Sequence, residues 1–141
     1  MTGEDTTSGD GWPVDLRGVT ESVVTTLGPN DLWNVAALGL HAGEPVTATT
    51  WGRTRTWRNF RERGRGYVQF TPDPLTFAEA AMTIREVDEP ILASADAWVE
   101  VETERRDAGE ESGTQWVEWA LEPVDGAVEN RSVRTTNRGY Y

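Results

Sequence analysis

The chain has 141 residues, which suffice for one domain with a buried core and are too few for two ordinary domains. Its 13 basic and 24 acidic residues give a net charge of −11, which disfavours binding to the polyanions nucleic acid and anionic membrane. With no cysteine and a single histidine, disulfides, thiolate nucleophiles and Cys-ligated or multi-histidine metal sites are excluded, so we expect no metal.

Every basic residue is arginine, and lysine is absent. An acidic surface without lysine is typical of proteins adapted to molar salt, where the Debye length falls to about 3 Å. The alternative is ordinary acidic drift. In a halophilic cell long-range steering is lost, so a charge used for binding must touch its ligand.

The first residues are Thr, Gly, Ser and acid, with neither the basic nor the apolar region of a signal peptide. We predict that residues 1–15 form a disordered acidic tail and that residues 16–141 form one domain. No apolar run approaches the roughly 18 residues of a membrane helix, so we expect a cytoplasmic protein.

In the first half of the chain, β-branched and apolar runs predict strands over residues 22–27, 32–40 and 46–51, and the first two form a hairpin. Thr54 or Thr56 is a suitable N-cap for a short helix that continues to Arg63 and stops at Gly64. A strand over 66–71 follows. Asp73 and Pro74 then open a second helix that runs to Met82.

In the second half, residues 95–104 alternate in character, with valine or threonine at 99, 101 and 103 on one face and glutamate at 100, 102 and 104 on the other, which predicts a half-buried strand with an acidic outer face. Residues 107–113 read as a polar loop, and residues 114–123 as the returning strand. Strands with two short helices and no βαβ rhythm predict a mainly β fold, an antiparallel sheet or barrel with α additions.

The positive charge is concentrated in one segment. Residues 53–65 contain six arginines and one glutamate, a net charge of +5, which leaves −16 for the rest of the chain. Such an island is a candidate anion site. It is equally consistent with a solvated helix face whose arginines pair with acids elsewhere.

Residues 51–60 (WGRTRTWRNF) lie where a strand ends and a helix begins. Free backbone amides and the positive end of the helix dipole face an anion there, and arginine binds phosphate through two parallel hydrogen bonds. The segment therefore suits a phosphate monoester. One of Trp33, Trp51 and Trp57 is also placed to stack on a planar ligand, although tryptophans more often belong to cores.

At these residues the sequence resembles a largely archaeal family known as domain of unknown function 447. This family belongs to the FMN-binding split barrels, with flavin reductases and pyridoxamine-phosphate oxidases. Four segments carry the resemblance: VVTTL at 23–27, NVAALG at 34–39, RTRTWRNF at 53–60 and GYVQFTPDP at 66–74. It extends from about residue 16 to the C-terminus.

The resemblance implies an antiparallel Greek-key split barrel of six strands, which usually forms a homodimer with FMN near the subunit interface. By position, Thr54, Arg55, Thr56 and Asn59 match the phosphate-binding segment, and the charge of Arg53 makes it a plausible addition. The strand beside the isoalloxazine ring is matched by four residues: Asn34, Ala36, Ala37 and Leu38. The small alanine pair fits close approach to a flat ring, and equally fits packing inside a barrel.

Two features depart from the family pattern. Gln69 stands where the pattern more often has asparagine, so we assign it no flavin contact. Family members usually continue beyond the region matching residues 137–141 into a helical section, and we therefore expect a domain that is either truncated at the C-terminus or a shortened variant.

Three hypotheses for function follow. The first is an FMN-binding flavoprotein, an oxidoreductase of flavin-reductase type in which the cofactor carries the redox chemistry and no catalytic residue is assigned. The second is a non-catalytic binding module for FMN or another phosphorylated ligand. The third, an RNA-binding module of arginines and stacking tryptophans, fits poorly with a salt-adapted cell because such binding weakens steeply with salt.

Overall fold

The computed structural model describes residues 11–128 and 136–137. Their elements in chain order are β1 (Val19–Leu27), β2 (Trp33–His41), β3 (Val46–Trp51), α1 (Arg55–Arg63), β4 (Arg65–Phe70), α2 (Pro74–Met82), β5 (Arg85–Val87), β6 (Ala97–Glu111), β7 (Thr114–Val128) and β8 (Thr136–Asn137).

Six antiparallel strands close into a barrel. Going round it, β1 pairs with β2, β2 with β3, β3 with β7, β7 with β6, β6 with β4, and β4 again with β1. The short strands β5 and β8 extend the sheet beside β2 and β1. The predicted mainly β fold, a Greek-key split barrel of the FMN-binding type, is confirmed.

The barrel interior holds the main core, in which residues of alternate strand positions such as Val24, Val68 and Val99 are fully buried. Helix α1 contributes Phe60, whose ring meets Trp119 edge to face at 5.4 Å between centroids. A second cluster lies outside the barrel, where Ala80 of α2 packs among Val23 and other residues.

Local signals fixed the helices as predicted. Helix α1 begins after the N-cap Thr54 and ends at Gly64, whose φ of 68° is the left-handed conformation that glycine adopts readily. Helix α2 begins at Pro74 after the N-cap Asp73 and ends at Met82. Neither helix of the described residues has the length and apolar character needed to cross a membrane.

The prediction of a loop over residues 107–113 is wrong. Strands β6 and β7 form one long hairpin joined by Ser112 and Gly113, which have φ values of 51° and 84°. Two positive φ values suit the tight hairpin turn. Most β6 side chains from Glu104 to Glu111 are exposed on both faces, so no apolar alternation marks this part as a strand.

The start of the domain also differs from the expected boundary at residue 15. Trp12 and Val14 are buried and join the main core, although both were assigned to the tail. Residues 1–10 and the C-terminal residues 138–141 lie outside the described part of the chain.

Candidate functional site

The predicted phosphate segment lies at the turn between β3 and α1. Gly52, with φ of 80°, makes the turn, and its amide donates to the carbonyl of Gln115 at 2.7 Å. The Thr54 hydroxyl then accepts from the Trp57 amide at 3.2 Å. Because an α-helix provides no internal acceptor for its first amides, those of Arg55 and Thr56 remain available to an anion.

The side chains of this segment differ in exposure. Arg53, Thr54 and Arg55 are exposed, whereas Thr56 is buried. Arg53 donates weakly to the Gln115 side chain at 3.5 Å. Arg55 has no ion pair within the described residues. Two guanidinium groups are therefore free to close on a ligand at the helix start.

Asn59 is buried, and its amide is already engaged. Its nitrogen donates to the Thr26 hydroxyl at 2.9 Å, and its oxygen accepts from Nε of Arg58 at 3.1 Å. These contacts attach α1 to β1 and orient Arg58. Asn59 therefore acts as a positioning residue for the helix, a role that residue type alone did not reveal.

A concavity of about 370 Å³ lies beside α1 and is lined by Pro29, Arg58, Asn59, Arg61, Glu62 and Arg63. Among the predicted site residues only Asn59 lines it, while Arg53 and Arg55 lie outside. Arg63 donates to the carbonyl of Gly28 at 3.2 Å, which holds the helix against the β1–β2 turn. Arg58 and Arg63 both belong to the positively charged segment of residues 53–65.

The residues predicted to lie beside the ring occupy β2, and alternation divides their side chains between its faces. Leu38 lies in the barrel core, and Ala36 packs against the same core. Asn34 shares this face and is buried. Ala37 lies on the opposite face and is half-buried.

One edge of β2 is open. Its other edge pairs with β1 along the whole strand. On the open side, β5 pairs only with Trp33–Val35 and β3 only with His41. Within the described residues, no strand pairs with this edge from Ala36 to Leu40. This opening exposes backbone donors and acceptors beside two small side chains, which is suitable for the polar rim of a flat ring.

The structure also places Gln69 and two of the tryptophans considered for ring stacking. Gln69 is fully buried, and its side chain hydrogen-bonds to the protein backbone. It donates to Pro90 O at 2.9 Å and accepts from Leu92 N at 2.7 Å. Trp51 is half exposed, and Trp33 meets Tyr67 edge to face. Clusters of three or more metal-ligating side chains do not occur in residues 11–128 and 136–137.

The family model of the N-terminal domain of a protein of unknown function, DUF447, matches residues 20–130. The chain belongs to this family. The suspected resemblance is thereby confirmed for most of the barrel. No curated protein matches the sequence.

Solved structures share the fold at low identity. An FMN-bound DUF447 protein of Methanosarcina mazei superposes with a TM-score of 0.66 at 19% identity, covering 86% of this chain and 66% of that one. The flavin reductase of styrene monooxygenase from Pseudomonas putida S12 gives 0.54 at 12% identity, covering 83% of each chain. An FMN-binding protein of Thermus thermophilus with bound p-hydroxybenzaldehyde gives 0.54 at 18%, covering 85% and 77%. The chain thus spans just under two thirds of the M. mazei protein.

The donor set at the start of α1 fits a phosphate monoester. Such a group has three acceptor oxygens and carries nearly two negative charges at neutral pH. The helix start offers two amides, threonine hydroxyls and two guanidinium groups without a carboxylate partner in the described residues. The open edge of β2 provides a separate row of backbone groups for a ring.

Proposed function

We propose that this domain binds FMN and is a flavoprotein of flavin-reductase type. The observation that carries the proposal is the uncompensated cationic start of α1, in a chain of net charge −11 that has the split-barrel fold. Arg55 and Arg53 clamp the phosphate, while the amides of Arg55 and Thr56 donate to its oxygens. The hydroxyls of Thr54 and Thr56 add neutral donors.

The ring lies along the open edge of β2. Ala36 and Ala37 let it approach the backbone, and the buried Asn34 lies on the same strand. Leu38 supports the strand from the core side. FMN supplies hydride or electron transfer when bound, and the protein holds the ring and sets its surroundings.

The proposal extends to the cellular location and the oligomeric state of the protein. We place the protein in the cytoplasm of a halophilic archaeon because its charge is strongly acidic and its basic residues are all arginine. A homodimer is expected because the resemblance to the FMN-binding split barrels implies one. The second subunit would then complete the part of the site that lies beyond β2.

The decisive comparison is FMN against riboflavin, which lacks the phosphate. Arg55→Ala should weaken FMN binding about 10- to 100-fold, because hydrogen bonds to charged groups contribute about 1.5–3 kcal/mol. Its affinity for riboflavin should stay unchanged. Arg106→Ala is the matched control, since Arg106 is exposed on β6 and outside the site. Titration by flavin fluorescence in high salt measures the affinity of the unaltered protein and of both variants for each flavin.

Equal losses for both flavins would remove Arg55 from the phosphate, and failure of the unaltered protein to bind FMN would overturn the proposal. The non-catalytic alternative is separated by turnover. A flavin-loaded protein that NADH and NADPH do not reduce, and that reduces no acceptor, is a binding module rather than a reductase.

A further inference from the structure

A second cavity, of about 250 Å³, lies where α1 meets the β6–β7 hairpin. Its walls include Trp57 and Arg61 from α1, Arg105 and Gly109 from β6, and Trp116 and Trp119 from β7. Arg53, Arg55 and the predicted ring strand β2 are not among its lining residues. The cavity therefore adjoins the site proposed for the flavin phosphate through Gln115, which lines it and accepts from Arg53, but the arginines proposed to bind the phosphate do not line it.

The aromatic walls are held in place by the fold. Gly109 lies opposite Trp116 in the hairpin register, and a Cβ at position 109 would lie 2.7 Å from Cζ2 of Trp116. Only glycine leaves the Trp116 ring room against the backbone there. Trp119 is fixed from behind, because its Nε1 donates to the Thr50 hydroxyl at 3.0 Å.

The charge of the cavity is positive. The Arg61 guanidinium lies over the Trp57 ring, 4.5 Å from its centroid, and its carboxylate partner is the exposed neighbour Glu62. Arg105 is exposed and has no ion pair among the described residues. Cages of aromatic side chains commonly bind organic cations. Here the positive charges of the two arginines would repel a cation, so a cationic ligand is excluded.

We propose that this cavity binds a planar aromatic molecule carrying an anionic group. The ring packs among the tryptophan side chains, and the anion is bound by Arg61 and Arg105. A volume of about 250 Å³ is below the usual range for drug-sized ligands, so it fits one or two fused rings rather than a dinucleotide. Two sources offer this chemistry, an aromatic carboxylate and a nucleoside monophosphate.

Calorimetric titration of the full chain distinguishes the two sources. The probes are 4-hydroxybenzoate and AMP, each paired with an uncharged counterpart, 4-hydroxybenzyl alcohol and adenosine. At least one anion should bind saturably, and its uncharged counterpart about tenfold or more weakly, because hydrogen bonds to charged groups contribute about 1.5–3 kcal/mol. Whichever anion binds identifies the source. Failure of both anions, or equal affinity of each anion and its counterpart, overturns the proposal.

Variants locate the binding. Arg105→Gln should weaken the anion about tenfold or more, whereas Arg106→Gln, a change at the next exposed residue, should leave it unaltered. Gly109→Ala, which displaces the Trp116 ring, should weaken both the anion and its neutral counterpart. Because the Gly109→Ala variant is at risk of misfolding, the comparison of Arg105→Gln with Arg106→Gln is the decisive test. Equal effects of Arg105→Gln and Arg106→Gln count against the cavity.

The flavin proposal is tested separately. Arg55→Ala should lose FMN and keep the aromatic anion, because Arg55 does not line this cavity. If FMN displaces the aromatic anion competitively, the cavity belongs to the cofactor site and the second site does not exist. If the aromatic anion still binds in the presence of saturating FMN, the result supports a second binding site.

Discussion

Thr26 on β1 accepts a hydrogen bond of 2.9 Å from the amide of Asn59 on α1 and lies directly opposite Asn34 on β2. One threonine thus joins the helix of the proposed phosphate site to the strand of the proposed ring site. Both Thr26 and Asn59 are buried. Buried polar contacts of this kind hold the two halves of a site at a fixed separation.

Asn59→Leu keeps the branched shape of the side chain and removes these contacts, so we expect a loss of about 1–3 kcal/mol in the free energy of unfolding. The hydroxyl of Thr26 would be left buried without its donor. Thr26→Val removes that hydroxyl, and the double variant should be less destabilised than the sum of the two single changes. Urea unfolding in high salt measures all three. Strict additivity would show that the bond contributes no coupling.

The helices could be predicted from sequence because their limits are set by neighbouring residues. Thr54 and Gly64 define α1, and Asp73 with Pro74 opens α2. The hairpin beyond Glu104 could not be predicted from sequence. Its side chains face solvent on both sides, so no apolar pattern distinguishes strand from loop.

The candidate site was likewise only partly predictable from the sequence. The proposed phosphate segment is contiguous in sequence, so its residue types and their spacing could indicate a site there. The open edge of β2 depends on where β3 and β5 stop pairing, which is a property of the whole sheet. Likewise, the engagement of Asn59 by Thr26 joins residues 33 positions apart. Such distant relations leave no pattern in a single sequence.

Gln69 is expected to fix the segment between α2 and β6 on the barrel. It donates to Pro90 O and accepts from Leu92 N, and it is fully buried. Gln69→Leu would leave the buried Leu92 amide without its acceptor, whereas Pro90 O would keep the Thr25 hydroxyl as a donor, so we expect a loss of about 1–3 kcal/mol in unfolding free energy. Gln115→Leu, at a partly exposed glutamine, should cost less than half as much. Equal losses in urea unfolding would contradict this assignment.

The pH dependence of stability should carry a contribution from Asp73. Hydrogen bonds from the Thr76 hydroxyl and the Leu75 amide lower the pKa of its carboxyl below the ordinary 3.8. A lowered folded-state pKa gives stability that is fully present above the ordinary value and is lost as pH falls through the folded value. Asp73→Asn retains an N-cap and removes the titration.

The difference in unfolding free energy between the unaltered protein and Asp73→Asn should therefore be constant above about pH 5 and shrink below the ordinary carboxyl pKa. A difference that grows on acidification would mean that the carboxyl is destabilising in the folded state.

Salt should have little effect on FMN affinity if the phosphate touches its arginines. The Debye length falls from about 10 Å at 0.1 M salt to about 3 Å at 1 M, which removes long-range attraction and leaves direct contacts largely intact. We expect the Kd for FMN to rise less than about tenfold between 0.3 and 3 M KCl, with riboflavin as the uncharged reference. Circular dichroism at each salt concentration confirms that the fold persists. A steep decline parallel to that of a single-stranded RNA probe would instead favour non-specific anion binding by the arginine island, because counterion release governs such binding.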